Sequence, residues 1–266
     1  MLVRLKREAV RASTRNALFH PHGIRPRPTG RDTKLTTLGV DPLRNKLLAR
    51  LPRDDFALLA PHFVAQQLAQ GTILTETNDE IEQVYFLLEG MISLVIVMRE
   101  GKAIETGTVG RDGVFGAAAG FGLYKSRVRS IAQVKTSALR IPASQFRKAV
   151  SISDGLTKLC IRDNEMLLAQ ARITAACNAL HTVESRFARW LLQTSTVIES
   201  DTLTLTQEFL SEMLGVRRTS VTNVASKLQA DGAISYSRGV IKIRDRRLLE
   251  ETCCECFETM QIQKAI

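Results

Sequence analysis

The chain has 266 residues, 44% hydrophobic and 24% charged, with a formal net charge of +10 and a pI near 9.7. That length holds one large or two ordinary domains, and the composition is that of a globular chain. No run approaches the ~20 apolar residues that a membrane-spanning helix needs, so no membrane partner is expected. The positive charge suggests a polyanionic partner, but its location matters more than its total.

Residues 1–40 carry nine Lys or Arg against two acids and so hold +7 of the +10. This Arg-rich, acid-poor start resembles a transit peptide in composition, and a start codon placed upstream of the native one is a further reading. A basic disordered tail is favoured, because "HPHGIRPRPTGRD" (His20 to Asp32) is broken by Pro and Gly and has little to bury. Folded sequence is expected from Asp41. "PLRNKLLARLPRDDFALLAPHF" reads as two short helices divided at Pro52, with Leu43, Leu47, Leu48 and Leu51 on one face and Phe56, Leu59 and Phe63 on the next.

From Gln67 the texture becomes β-like. Runs at Thr72–Thr75, Gln83–Leu88, Ile92–Met98, Ala103–Val109, Val114–Phe115 and Arg129–Ile141 alternate with turn signals at Asn78-Asp79, Glu89-Gly90, Glu100-Gly101 and Gly110 to Gly113. Short, evenly spaced strands with glycine at their turns predict a sandwich or jelly roll over residues 41–152. After Pro142 and the helical "ASQFRKAV", a long helix is expected over 153–182. Its residues Leu156, Leu159, Asp163, Met166, Gln170, Ile173, Cys177 and Leu180 follow steps of three and four, a coiled-coil-like seam with two polar interruptions. A dimer interface is the favoured use of that seam; ordinary core packing is the other. "VESRFARWLLQTS" (Val183 to Ser195) is a further amphipathic helix that buries Phe187, Trp190 and Leu191.

Residues 183–252 contain the most informative unit. Thr206 can cap a helix whose first turn carries Gln207 and Glu208, where the helix dipole favours negative charge. Phe209, Leu210, Met213 and Leu214 supply its apolar face, and Gly215 ends it at a residue that can take positive φ. A second helix restarts by about Arg218, and "LGVRRTSVTNVASKL" (Leu214 to Leu228) contains two Arg, one Lys and no acid. Two strands, Ala233–Tyr236 and Val240–Ile243, follow and are joined by Ser237-Arg238-Gly239. Helix, glycine turn, helix and hairpin make a winged helix-turn-helix, so the fold class is α+β. Set into a major groove, the acid-free face would meet phosphates and base edges of double-stranded DNA. Arg217, Arg218 and Lys227 would neutralise phosphate or read guanine, Asn223 would read adenine, and Thr219, Ser220 and Thr222 offer hydroxyls. Arg238, with Lys242 and Arg244 nearby, would lie along the flanking backbone.

This order of parts resembles the Crp/Fnr family of bacterial transcription regulators. The likeness covers Asp41 to Glu251, about four fifths of the chain. It rests on "VYFLLEGMISL" (Val84 to Leu94), "GRDGVFG" (Gly110 to Gly116), the long helix and "TQEFLSEMLGVRRTSVTNVASKLQADGAI" (Thr206 to Ile234). The resemblance implies a cyclic-nucleotide-binding-like jelly roll, a dimerisation helix, a homodimer on two-fold related half-sites and RNA polymerase as a further candidate partner; the odd number of cysteines argues separately against a disulfide framework and for a reducing, cytoplasmic location. The resemblance also places an effector pocket at Gly116, Ala117, Arg127 and Val128. Ala117 stands where cyclic-nucleotide-binding members carry a Glu for the ribose, and Val128 replaces a small hydroxyl residue beside Arg127. Loss of the carboxylate removes a bond worth roughly 1.5–3 kcal/mol, so cyclic AMP is disfavoured and no cofactor is expected. Thr219 and Asn223 stand where relatives that read the best-known operator carry Glu and Arg, which predicts a different base preference.

Five cysteines, with none before Cys160, do not fit the iron–sulfur branch of that family. Cys160 and Cys177 read as small apolar fillers. Cys253, Cys254 and Cys256 lie in the expected tail at 253–266, a solvent-facing end with Leu248 and Phe257 inward. The C-C-x-C spacing lacks the pattern of a structural zinc site and only distant histidines are available, so no metal is expected. A redox- or metal-responsive role for these cysteines stays open as an alternative, as does a ligand-gated cyclic-nucleotide sensor. No GxSxG, HExxH, P-loop or paired-carboxylate pattern is present, and His20, His22, His62 and His181 form no evident ligand set, so no enzymatic activity is expected.

Overall fold

The computed structural model describes residues 39–265; the reading of a disordered basic tail falls on residues almost all outside that range. Eight strands form the jelly roll: β1 (Val64–Leu68), β2 (Ile73–Thr75), β3 (Gln83–Glu89), β4 (Ile92–Val97), β5 (Ala103–Val109), β6 (Val114–Phe115), β7 (Arg129–Ala132) and β8 (Thr136–Pro142). They make two four-stranded antiparallel sheets, ordered β1-β8-β3-β6 and β2-β7-β4-β5. β3 is apolar on both faces because both are covered. Val84, Phe86 and Leu88 pack into one core with Phe146 and Leu156, whereas Leu87 joins Ile92, Val109 and Phe115 in another. The turn after β3 admits only glycine: Gly90 has φ +83°, and a Cβ there would stand 2.7 Å from the Lys135 carbonyl oxygen.

The single strand expected over Arg129–Ile141 is two strands in different sheets. The chain crosses at Gln133 to Lys135, where the Gln133 amide donates to Met91 O at 2.8 Å. No Gly or Pro marks that corner. β1 escaped the sequence reading because its central "AQQ" shows no apolar alternation. Before it, the first expected helix is only short 3-10 turns at Pro42–Arg44 and Leu48–Arg50, with Leu43 exposed, and α1 spans Arg53–Leu59.

Helix α2 covers Ala143–Ile152 and α3 covers Asp154–Leu180. Ser153 caps α3 by accepting from Leu156 N at 3.0 Å. The expected seam of α3 turns inward. Leu156, Asp163, Gln170 and Cys177 are buried within their own chain, and the two polar interruptions are contacts to the jelly roll. Asp163 accepts from Val114 N at 3.1 Å, and Gln170 accepts from Thr108 N at 2.7 Å while donating to Thr108 Oγ1. Leu180, at the end of the expected seam, is exposed; the other large apolar residues left exposed on α3 lie off the seam and are Ile161 and Leu168, seven residues apart.

Helix α4 (Val183–Ile198) is buried continuously from Arg186 to Ser195. Its two sides join the jelly roll to a C-terminal module of β9 (Thr202–Thr204), α5 (Gln207–Leu214), α6 (Arg218–Ala230), β10 (Ile234–Ser237) and β11 (Val240–Ile243), with sheet order β10-β11-β9. Trp190 Nε1 donates to Glu105 Oε1 at 2.9 Å, and the Ser93 hydroxyl lies 2.5 Å from Glu105 Oε2. The chain ends in α7 (Arg246–Thr252) and α8 (Cys256–Ala265). The expected solvent-facing tail is instead packed: Cys254, Cys256 and Met260 are buried. A terminal segment returns to the core when the face it carries is apolar, and here cysteine supplies that face.

Burial pushes the Glu105 carboxyl up to about 7, against the hydrogen bonds of Ser93 and Trp190 and the field of Arg189. Burial likewise pushes Asp163 up to about 7, against its bond from Val114. Both groups hold protons in the fold that the unfolded chain has lost, so stability falls as pH rises from the ordinary carboxylate range through about 7. Each pH unit separating the folded from the unfolded titration is worth about 1.4 kcal/mol. Glu105→Gln keeps an acceptor for Trp190 without the charge. Calorimetric Tm between pH 5 and 8 should therefore fall less steeply in the variant, which should be the more stable protein at pH 8. A variant with the wild-type slope would show that Glu105 does not titrate in this window.

Candidate nucleic-acid interface

Thr206 caps α5 by accepting from Phe209 N at 3.2 Å. Gly215 ends it at φ +63°, where a Cβ would stand 2.7 Å from Ile104 Cδ1 of β5. The turn between the two helices is thus seated against the jelly roll, and a side chain at Gly215 would be strained by its positive φ and would have to displace the end of Ile104. In α6, Val221, Ala225 and Leu228 are buried, while Arg218, Thr219, Asn223 and Lys227 are exposed, as is Arg217 just before the helix. Ser220 and Thr222 are half-buried. No side chain caps the start of α6, which leaves the positive end of its dipole open to an anion.

The polar face is less free than its sequence suggests. Lys227 Nζ pairs with Glu184 Oε2 of α4 at 2.8 Å, and that bond raises the lysine pKa. Arg218 Nη1 lies 3.7 Å from Glu208 Oε2, both side chains being well exposed. Thr222 donates within reach of Gln207 Oε1 at 3.0 Å and so ties α6 to α5. A stretch without acids in sequence meets two acids in space.

Arg238 sits exposed at the tip of the β10–β11 hairpin with φ +50°, followed by Gly239 at φ +76°. Two residues with positive φ form the tight turn that matches strand twist, where Asn-Gly is the favoured pair. An arginine at the first position is conformationally costly.

The effector residues inferred from resemblance lie on two short segments, Gly116 with Ala117 and Arg127 with Val128. Gly116 has φ +88° and precedes a 3-10 turn at Ala117–Phe121; Ala117 is buried, Val128 is half-buried and Arg127 is exposed. Two clefts are prominent, and none of these four residues lines either. One lies among α3, α4, α8 and the Gly110–Gly113 turn. The other opens on the jelly roll beside Asp79, Glu80 and Glu82, an acidic setting unsuited to a phosphate. Inside the roll, Thr75 hydrogen-bonds Ser130 at 2.8 Å and Ser126 at 3.2 Å.

The cysteines depart furthest from the sequence reading. Cys160 is buried in the jelly-roll core. Cys177, Cys254 and Cys256 form a cluster of their own, joined by His181, with donor atoms all within 4.8 Å of one another. The view that only distant histidines are available is corrected: His181 is distant in sequence and adjacent in space, because the module folds back onto the end of α3. Cys177 and His181 one helical turn apart, with a later Cys-x-Cys, are the signal that could have revealed it. Hydrogen bonding from Cys254 holds the Cys177 thiol well below its usual range.

The described residues include no helix long and apolar enough to cross a membrane. Residues 65–153 match the family model of the cyclic nucleotide-binding domain, and residues 185–252 match that of the Crp-like helix-turn-helix domain. No curated protein sequence matches the chain. Among solved structures, the fold is similar to FixK2 from Bradyrhizobium japonicum (17% identity, TM-score 0.61, covering 72% of this chain and 98% of that one). It is also similar to CLP, the c-di-GMP-responsive global regulator from Xanthomonas campestris (16%, TM-score 0.61, 73% and 100%). A CRP/FNR-family regulator from Thermus thermophilus shares the fold as well (23%, TM-score 0.59, 71% and 97%). With a cyclic nucleotide-binding domain followed across one long helix by a Crp-like helix-turn-helix domain, the chain belongs to the Crp/Fnr family of DNA-binding transcription regulators.

Proposed function

We propose that the chain acts as a homodimer that places α6 of each copy in successive major grooves of an operator, without a cyclic nucleotide bound in the usual way. One observation carries the DNA-reading part: α6 buries Val221, Ala225 and Leu228 and leaves a face of Arg218, Thr219 and Asn223 to solvent. Arg217 and Arg218 engage phosphate or guanine, Asn223 reads adenine in bidentate fashion, and Thr219 and Ser220 lend hydroxyls. Lys227 contributes only by giving up Glu184, and Thr222 acts by holding α6 on α5. Arg238 meets the flanking backbone, a role that accounts for its costly conformation at the wing tip.

The dimer reading moves to the outer side of α3. Ile161, Leu168 and Ala175 are exposed at heptad spacing, the pattern of a helix pairing with its own copy. Pairing along this line would set two recognition helices in register for half-sites ~34–36 Å apart. Against cyclic-nucleotide gating stands Ala117 in place of a carboxylate, and Arg127 is exposed and lines neither cleft.

Three outcomes are expected. Arg218→Ala should fold normally and lose about 1–3 kcal/mol of operator affinity, measured by fluorescence anisotropy on a selected site; undiminished affinity would remove Arg218 from the interface. Leu168→Glu should sediment as a monomer and bind operator weakly, whereas a variant that stays dimeric would place the dimer contact elsewhere. Millimolar cyclic AMP or cyclic GMP should leave Tm unchanged, and a saturable rise would restore the gated reading.

A further inference from the structure

Helix α3 ends at its Cys177 and His181 side. These two residues occupy the last turn at i and i+4, with the His181 backbone N–H bonded to the Cys177 carbonyl. Facing them are the short link between α7 and α8, which delivers Cys254, and the first residue of α8, Cys256. Cys177 Sγ lies 3.5 Å from Cys254 Sγ, and Cys256 Sγ lies 3.6 Å from His181 Nδ1. A tetrahedral zinc ion with Zn–S of about 2.3 Å and Zn–N of about 2.0 Å separates its ligand atoms by roughly 3.5–3.8 Å along each edge. All four donors lie within 4.8 Å of one another, so little contraction is needed. The spacing has room for one ion and not for an iron–sulfur cluster, whose thiolates bind different irons.

We propose that Cys177, His181, Cys254 and Cys256 bind one zinc ion that staples the C-terminal end of α3 to the segment following the winged helix. Three features beyond the ligand geometry fit a metal. The three sulfurs are buried, and among the described residues the cluster they form has only Ile173 packed against it as a partly buried apolar neighbour, which is a poor hydrophobic core but a suitable ligand shell. His181 presents Nδ1 to the sulfurs while its Nε2 meets Glu255 Oε1 at 3.2 Å, the carboxylate contact that fixes tautomer and ring orientation in zinc sites. The carboxylate sits between the two ligands of Cys-x-Cys, so one turn supplies two ligands and the positioning group.

Charge supplies the third feature. Zinc with three thiolates and a neutral histidine carries net −1. Arg186 and Arg189 of α4 are buried close by and donate to Leu214 O and to Gln193 Oε1, neither of them anionic. The Nε of each is buried without a hydrogen-bond partner among the described residues. A buried cation is costly unless it is compensated; Arg189 also acts on the largely protonated Glu105, and the anionic metal centre is a compensation that both arginines face. Cys253 is excluded from the centre: its thiol turns back to Glu250 O at 3.3 Å.

The proposal is independent of the DNA-reading surface and is tested without DNA. Full-length protein, purified without chelator, should carry about one zinc per chain through gel filtration by elemental analysis. After demetallation under reducing conditions, cobalt(II) alone should give the intense visible bands and sulfur-to-cobalt charge transfer of a tetrahedral thiolate site. Cys177→Ser and Cys256→Ser should lose the metal and that spectrum, while Cys253→Ser keeps both. Glu255→Gln should retain the stoichiometry and weaken cobalt affinity about 10- to 100-fold in competition with a chelator. Wild-type protein that takes up neither zinc nor cobalt, or takes up cobalt with a weak octahedral spectrum, overturns the proposal even if the cysteine variants do not fold. So does a Cys253→Ser protein that loses metal as fully as Cys256→Ser.

Discussion

The burial of α4 from Arg186 to Ser195 governs the arrangement of everything around it. A helix covered on all sides cannot shift without opening both of its interfaces, and here the interfaces belong to different modules. The bond from Trp190 to Glu105 crosses between them, and Gln193 and Gln170 both reach Thr108 of β5. These contacts are polar and directional, so they specify one seating of the winged helix on the jelly roll where apolar packing alone would tolerate several. Their vulnerability is the buried carboxyl. Glu105 is comfortable there when neutral and poorly compensated when charged.

From that seating follows the freedom of α6. Its inner face completes the core with Leu203, Leu210 and Ile241, and the turn before it rests against Ile104. What remains outward is the polar side, and the wing tip at Arg238 is exposed as well. The acids that approach this side, Glu184 and Glu208, come from neighbouring helices and pair with Lys227 and Arg218, which on the proposed reading would exchange them for phosphate. Exposed pairs of this kind are worth little, so the exchange for phosphate costs little. At the far end of α3 the sulfur cluster ties the same module down again, which leaves the winged helix held at both α4 and its own C-terminus.

Local signals made the winged helix legible in sequence. Thr206 as a cap, Gly215 as a stop and the three-four spacing of Val221, Val224 and Leu228 each act within one or two turns. Most strands were legible for the same reason. What escaped depends on contacts made at long range. The crossing at Gln133 has no breaker residue, and β1 pairs with β8 through residues that show no pattern. The α3 stripe through Gln170 has the spacing of a seam, but the same spacing serves a helix packed on its own sheet. Cys177 and Cys254 are 77 residues apart, and neither looks like a ligand until the chain closes. The acids near α6 were hidden likewise, since Glu184 lies 43 residues before Lys227.

The central claim is that two copies of α6 read duplex DNA together. Selection of bound duplexes from random sequence by the full-length protein tests it most directly. The account predicts enrichment of an inverted repeat whose half-site centres lie about 10–10.5 bp apart, or a multiple of that. Failure to enrich any sequence, or enrichment of a single half-site without its inverted partner, would contradict it.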